Sequence, residues 1–309
     1  MSIKELPKIQ NFENEEIKVN DPYGMLSMPK GCPNGFHSLL AVGASGSGKT
    51  NGVINLIKKM KNHYNRFIII SPTGCKDDRG IRAEKKWDNP KIEFDHEYDT
   101  YYRGLIRDII DEQKECIVNY DEYIEYKKLY DDFLKWMRNN KSINNENLDQ
   151  YPNFMDLLKH DFTPPDFCPY FFQKKPPSLL LIIDDMASTP IYTNSLGELV
   201  NLQMRCRHLR CSVWNLIQAY KLIPRSIRLN SHIMMLFPCK SPLMIKEIAD
   251  TCSNNYSPEE FIQLFQYATK DKPYHFLYMD ARTGEVRKNF NKPLSLNNIE
   301  KNINNNNDT

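Results

Sequence analysis

The sequence lacks the marks of several protein classes, and each absence narrows the reading. Its eight cysteines (Cys32, Cys75, Cys116, Cys168, Cys206, Cys211, Cys239 and Cys252) form no CxxC pair and no Cys/His spacing suited to zinc. Scattered thiols of this kind fit a reducing compartment. The longest uninterrupted aliphatic run, Leu179 to Ile183, falls far short of the roughly 20 residues that cross a bilayer. The opening segment, MSIKELPKIQNFENEE, carries acids and no apolar stretch, so no secretory leader is expected there. Histidines occur without HxxxH or HExxH spacing, no Gly-x-Ser-x-Gly elbow is present, and no NKxD guanine-reading motif appears. Metal-hydrolase, serine-hydrolase and GTPase readings therefore lack their signatures. A basic excess is also missing: the formal charge of the 309 residues is +2, so any contact with a polyanion must come from local clusters. These absences describe a soluble intracellular protein.

What is present is an ordinary globular composition, 40% apolar and 26% charged, outside the regime of a disordered chain. Residues 1–30 are polar with scattered prolines and read as an N-terminal arm. Ser38–Val42 is an apolar run feeding a glycine-rich turn, which predicts a buried strand. Behind it Val53, Ile54, Ile57 and Met60 recur at helical spacing. Phe67–Ile70 predicts a second strand. Between Asp121 and Met137 the apolar positions Tyr123, Tyr126, Tyr130, Phe133 and Met137 share a helical face, with Asp131 and Lys135 spaced as a supporting pair. An Asn-rich stretch and a proline-rich segment follow, so about 119–176 reads as an insertion in a domain spanning 31–295. Four more strand candidates, Leu179–Ile183, Ser212–Ile217, His232–Phe237 and His275–Met279, alternate with helical patterns. Alternation of this kind marks an α/β fold, a mainly parallel sheet with helices on both faces. Residues 296–309 read as a disordered Asn-rich tail.

Chemistry concentrates at Gly43-Ala44-Ser45-Gly46-Ser47-Gly48-Lys49-Thr50, a full match to G-x-x-x-x-G-K-[ST]. Glycines let the backbone wrap phosphates with its N–H groups inward, and the following helix points its positive end at the anion. Lys49 is expected to reach the β and γ phosphates of ATP, and the Thr50 hydroxyl to ligate Mg²⁺. The strand Leu179–Ile183 runs into Asp184 and Asp185. Acids at the carboxyl edge of a parallel sheet are placed to hold the metal, the role expected of Asp184, and to orient or deprotonate an attacking water, the role expected of Asp185. Gln218 ends the next apolar strand, where it either senses the γ-phosphate or makes a strand-end hydrogen bond. Arg205, Arg207 and Arg210 precede that strand, and Arg225 and Arg228 follow it. One of them is a candidate arginine finger for a neighbouring subunit; a solvated or phosphate-binding surface is the alternative. Arg79, Arg82, Lys85 and Lys86 near Trp87 suggest either nucleic-acid contact or a solvated loop, and Tyr170-Phe171-Phe172 reads as packing.

The motif order GASGSGKT, LLLIIDDM and RCRHLRCSVWNLIQAYKLIPRSIRLN resembles the poxvirus-type genome-packaging ATPases of large DNA viruses and virophages, a branch of the HerA/FtsK superfamily. The resemblance covers about 35–240 without the insertion. It implies a RecA/ASCE-like P-loop NTPase in which Lys49 and Thr50 bind nucleotide and Mg²⁺ and Asp184 is the Walker B acid. It further implies that Asp185 takes the catalytic carboxylate position, where the superfamily often has the longer Glu. Gln218 takes that of the polar sensor, and Arg207, with Arg228 as second choice, that of the trans finger. The resemblance also implies a homo-oligomeric ring on double-stranded DNA, capsid or portal partners, and work in the virion or the viral factory of the host cytoplasm. Competing readings are a cellular or plasmid translocase of the same superfamily, a P-loop kinase or GTPase, and a non-catalytic virion scaffold.

Overall fold

A computed structural model describes residues 31–60, 63–71, 104–139, 176–187, 189–193, 197–239, 241–252, 256–271 and 273–295. Eight strands form one sheet: β1 (Ser38–Val42), β2 (Arg66–Ile70), β3 (Leu179–Asp184), β4 (Cys211–Ile217), β5 (Ile233–Leu236), β6 (Leu277–Asp280), β7 (Glu285–Lys288) and β8 (Lys292–Pro293). Their order is β2-β3-β4-β1-β5-β6-β7-β8. The first five are parallel, and β6 to β8 extend the sheet antiparallel from β5. Strand β4 is thus interposed between β1 and β3, so the glycine-rich turn and the paired acids stand two strands apart, about 10 Å at the usual spacing.

The central strands are apolar throughout because both of their faces are covered. Alternate residues sort onto two cores. Leu39, Ala41, Leu180, Ile182, Trp214, Leu216, Met235 and Phe237 pack with Val53, Leu56, Ile57 and Met60 of α1 (Lys49–Met60). The other face, with Leu40, Val42, Leu181, Ile183, Val213 and Leu236, meets α2 (Leu105–Asn139), α4 (Glu198–Met204), α5 (Arg225–Leu229), α6 (Pro242–Cys252) and α7 (Pro258–Thr269). The short α3 (Pro190–Thr193) follows β3. The sequence reading of a mainly parallel sheet with helices on both faces holds, with an antiparallel extension at one edge.

Some expectations change. The helix expected at Asp121–Met137 is the outer part of α2, which starts at Leu105, so the boundary at 119 falls inside a continuous helix. Its buried residues run from Leu105 to Tyr123, whereas Met137 is exposed, so the apolar face is covered only along its first half by described residues. Lys135 pairs at 3.2 Å with Asp132 rather than with Asp131, because three residues of helix bring the two side chains as close as four do. The strands β7 and β8 were not anticipated; Glu285-Val-Arg-Lys288 is too short and too charged to stand out. Cys116 is disulfide-bonded; spacing along a chain does not reveal which sulfurs meet. The arm 1–30, the tail 296–309, the basic stretch 79–87 and the aromatic group 170–172 lie outside the described residues.

Candidate active site

Parallel strands put their carboxyl ends on one edge, and register fixes who stands there. Val42 is opposite Ile217, and Leu216 is opposite Asp184. The turn after β1, Gln218 after β4 and the acids after β3 therefore line up side by side.

The turn itself is tied down on both sides. Gly43 N–H donates to Ile217 O (3.2 Å) and Phe237 N–H to Val42 O (2.8 Å). A Cβ on Gly43 would lie 2.6 Å from both Phe237 Cβ and Ser47 Oγ, so nothing larger fits. Gly48 has φ +96, and a Cβ there would lie 2.7 Å from Tyr274. Lys49 is buried, and its Nζ donates to the carbonyls of Gly43 (2.8 Å) and Ala44 (3.1 Å). Burial lowers its pKa, with Asp185 and Asp184 pulling in the opposite direction. Thr50, the next residue, is half-buried in the first turn of α1. The Ser47 hydroxyl is buried within the loop with no hydrogen-bond partner. An orphaned donor, a lysine engaged only by its own loop, and the start of a twelve-residue helix fit an anion in this cradle.

Alternation along β3 turns Asp184 to the same face as Leu180 and Ile182, the face that carries α1. Burial raises its carboxyl to about 6, reinforced by Asp185 and opposed by Lys49. A carboxylate held this far above its ordinary range is set to gain from a cation. Asp185 is exposed and sits at φ 59, a left-handed conformation rarely taken by a non-glycine residue. Its N–H donates to Leu216 O (3.0 Å), and its carboxylate accepts a hydrogen bond from the Gln218 amide. Gln218 and Asp185, 33 positions apart in sequence, thus form one pair.

A buried polar chain, which sequence reasoning did not find, supports this edge. Tyr192 of α3 donates to Asn215 Oδ1 (2.6 Å), Asn215 to Gln203 Oε1 (3.4 Å), and Gln203 to Ile227 O (2.8 Å). Asn215 within a mostly apolar strand was its visible signal.

The arginines separate. Arg207 is exposed in the turn before β4, hence at the opposite edge, roughly 20 Å of strand away from its own glycine-rich turn. Arg228 does not fit the finger role assigned to it as second choice: it is mostly buried, bonded to Glu247 (3.1 Å) and stacked over Tyr220 (4.7 Å), and so fastens α5 to α6. Arg210 is buried and donates to Pro177 O (2.8 Å). Arg205 and Arg225 are exposed. Among the described residues no group of three or more His, Cys, Asp or Glu side chains could hold a metal by itself. No described helix is long and apolar enough to cross a membrane.

An interposed strand, a phosphate-type turn and two strand-end acids define a P-loop nucleotide-binding α/β protein. Residues 167–249, which hold β3, β4, Asp184, Asp185, Arg207 and Gln218, match the family model of the poxvirus A32 protein. Among solved structures, the chain is similar to the genome packaging NTPase B204 from Sulfolobus turreted icosahedral virus 2 in complex with AMPPCP. That match has 12% identity and a TM-score of 0.49, and covers 84% of this chain and 98% of that one. It is also similar to the cytoplasmic domain of the Thermomonospora curvata Type VII secretion ATPase EccC, with 14% identity, a TM-score of 0.43, and coverage of 84% of this chain and 24% of that one. A third similar structure is EssC (ATPases 2 and 3) from Geobacillus thermodenitrificans, with 10% identity, a TM-score of 0.45, and coverage of 86% and 42%. No curated protein sequence matches the chain.

Proposed function

We propose that the protein is an ATP-hydrolysing motor that moves double-stranded viral DNA into a capsid as a homo-oligomeric ring. The observation that carries hydrolysis is the Gln218–Asp185 pair held at the edge of the sheet beside Lys49 and Asp184. A protein that only held nucleotide would need the loop but no second acid fixed at a costly backbone angle. The packaging role is supported by the match of residues 167–249 to the poxvirus A32 family model and by the three-motif resemblance that also takes in Gly43–Thr50.

In this reading Lys49 exchanges its two loop carbonyls for the β and γ phosphates, while the N–H groups of the glycine-rich turn receive the phosphate oxygens. Thr50 and Asp184 would hold Mg²⁺, which neutralises charge on the phosphates. Asp185 orients the attacking water and accepts its proton, and the Gln218 amide fixes the carboxylate and reads the γ-phosphate. Aspartate is shorter than the glutamate common in the superfamily, so this role requires a closer approach of the water. Arg207, too far from its own loop, would reach a neighbouring subunit's γ-phosphate. Capsid or portal proteins would be the docking partners, in the virion or viral factory.

ATPase activity measured with and without duplex DNA tests the proposal. Stimulation by duplex is expected. Arg207→Ala subunits are expected to be inactive alone and to regain activity when mixed with Lys49→Ala subunits, since each supplies what the other lacks at some interfaces. Turnover that ignores DNA would remove the motor reading, and no recovery at any mixing ratio would remove Arg207 from it.

A further inference from the structure

We propose that Tyr274 is the platform on which the nucleobase of the bound triphosphate stacks, so that the site takes a nucleoside triphosphate rather than a bare polyphosphate. This rests on the reading of Gly43–Thr50 as a triphosphate cradle.

Direction comes from the sheet. The glycine-rich turn leaves β1, which has β4 and then β3 on one side and β5 and then β6 on the other. Asp184, Asp185 and Gln218 all stand on the β4–β3 side, so the phosphate that is cleaved must face that way. The sugar and base at the other end of the molecule then leave over β5 and β6. Because β6 runs antiparallel to β5, its first residue Leu277 is opposite Leu236, at the same edge as the turn. The segment leading into β6 is therefore delivered to the place where the base emerges.

Tyr274 lies in that segment and touches the turn: a Cβ on Gly48 would be 2.7 Å from its Cδ1 and 3.0 Å from its Cβ. Tyr274 is 57% exposed, a large aromatic residue left in solvent. The backbone beneath it is at φ 75, a region that aromatic residues seldom enter. The chain two residues on is anchored. Phe276 is buried against Phe237 (centroids 4.8 Å apart), and Phe237 in turn crowds Gly43 and Gly52. Phe276 N–H donates to Asn289 Oδ1 (3.2 Å), and Phe276 O accepts from Asn289 N–H (2.9 Å). The ring is thus an exposed aromatic face beside a phosphate cradle, next to an anchored strand start, which is what stacking of a base requires. Every base has a π face, so such a platform accepts adenine and guanine alike.

The test uses full-length protein and competition against a fluorescent ATP analogue by ATP, GTP and inorganic tripolyphosphate. Tyr274→Gly suits the left-handed backbone and removes the ring, and Tyr274→Phe keeps the ring. With Tyr274→Gly the dissociation constants for ATP and GTP should each rise about tenfold, tripolyphosphate should change by less than about twofold, and Tyr274→Phe should behave as the wild type. An equal loss for tripolyphosphate would make Tyr274 a prop for Gly48 and overturn the proposal, as would unchanged ATP affinity. Wild-type protein that binds tripolyphosphate as tightly as ATP would overturn the platform alone. Wild-type protein that binds neither would overturn the triphosphate site and the platform with it.

Discussion

The two edges of the parallel sheet are built from the same strands but treat polar groups in opposite ways. At the carboxyl edge, Lys49 bonds only its own loop, Ser47 Oγ has no partner, Asp185 occupies a left-handed angle, and Gln218 is exposed. At the amino edge, several polar groups are buried and matched. His37 Nδ1–H donates to Gly35 O (2.9 Å), and its Nε2 accepts from the Trp214 indole (3.1 Å). Tyr64 donates to Ser212 (2.8 Å), which also receives the His37 N–H (3.0 Å). Two aspartates that end strands show the contrast in one group. Burial raises Asp184 at the carboxyl edge to about 6, whereas Asp280 at the amino edge is pulled below its usual range: burial opposes this, but bonds and charge from Arg282 prevail. One edge carries polar groups that need a ligand, and the other carries groups that need each other.

If that division is right, the largest effects come from the carboxyl edge and spare the fold. Lys49→Ala should reduce ATP turnover by about a thousandfold, the size of losing a main cationic contact to the transferred phosphate. Among the described residues it bonds only Gly43 and Ala44, so the melting temperature should move little. Asp185→Asn should keep ATP bound and lower turnover by about a hundredfold or more, with asparagine tolerating the left-handed backbone. Steady-state ATPase assays beside thermal melts decide this. Wild-type turnover in Asp185→Asn would end the catalytic assignment, and a collapsed melt for Lys49→Ala would end the separation of the edges.

The amino edge should show itself next, through pH. Burial pushes His37 down to about 3 from an ordinary value of 6.5, with Arg282 and His232 adding to the fall and the Gly35 carbonyl and Asp280 opposing it. Between these values the unfolded chain binds a proton that the folded chain refuses. Stability from His37 is therefore complete above 6.5 and declines as pH falls through the window, by about 1.4 kcal/mol per unit, or about 2 kcal/mol at pH 5. Denaturant unfolding of wild type and His37→Gln at pH 7, 6 and 5 measures it. The raised carboxyl of Asp184 acts in the opposite sense over part of this range but is common to both proteins and cancels in the difference. Parallel pH slopes for the two proteins would remove His37 as the source.

The sequence disclosed the carboxyl edge better than the amino edge, for a physical reason. Phosphate binding demands glycines at close quarters and a fixed lysine, so Gly43–Thr50 reads locally; strand-end acids after LLLII read locally too. Contacts that join distant segments do not. Gln218 was found as a strand end, but its bond to Asp185 requires knowing that β4 is inserted between β1 and β3. Arg228 looked like a free cation because Glu247 lies 19 residues on, across the α5–α6 junction. Tyr274 belongs to no motif, and its position depends on β6 running antiparallel. The buried strands β1, β3 and β4 were legible from their largely apolar runs, whereas β7, half-buried and charged, was not.

The smallest effect offers the sharpest comparison, because the same chemical change can be made at both edges. Asp280→Asn replaces a strand-end carboxylate just as Asp185→Asn does. At the amino edge the loss falls on Arg282, whose guanidinium is held by Asp280 Oδ2 (2.8 Å) and Oδ1 (3.1 Å) and also by Asn34 O (2.7 Å). Breaking a fully buried pair costs about 3–5 kcal/mol. Here the Arg282 side chain is 21% exposed and keeps the Asn34 carbonyl, so about 1–2 kcal/mol is expected. Turnover per folded molecule should not change, since nothing at the carboxyl edge touches the pair. Denaturant midpoints and ATPase rates on the same samples test both halves. A variant of Asp280 that slowed hydrolysis while remaining folded would mean that the two edges communicate through the sheet, and the assignment of stability to one and chemistry to the other would fail.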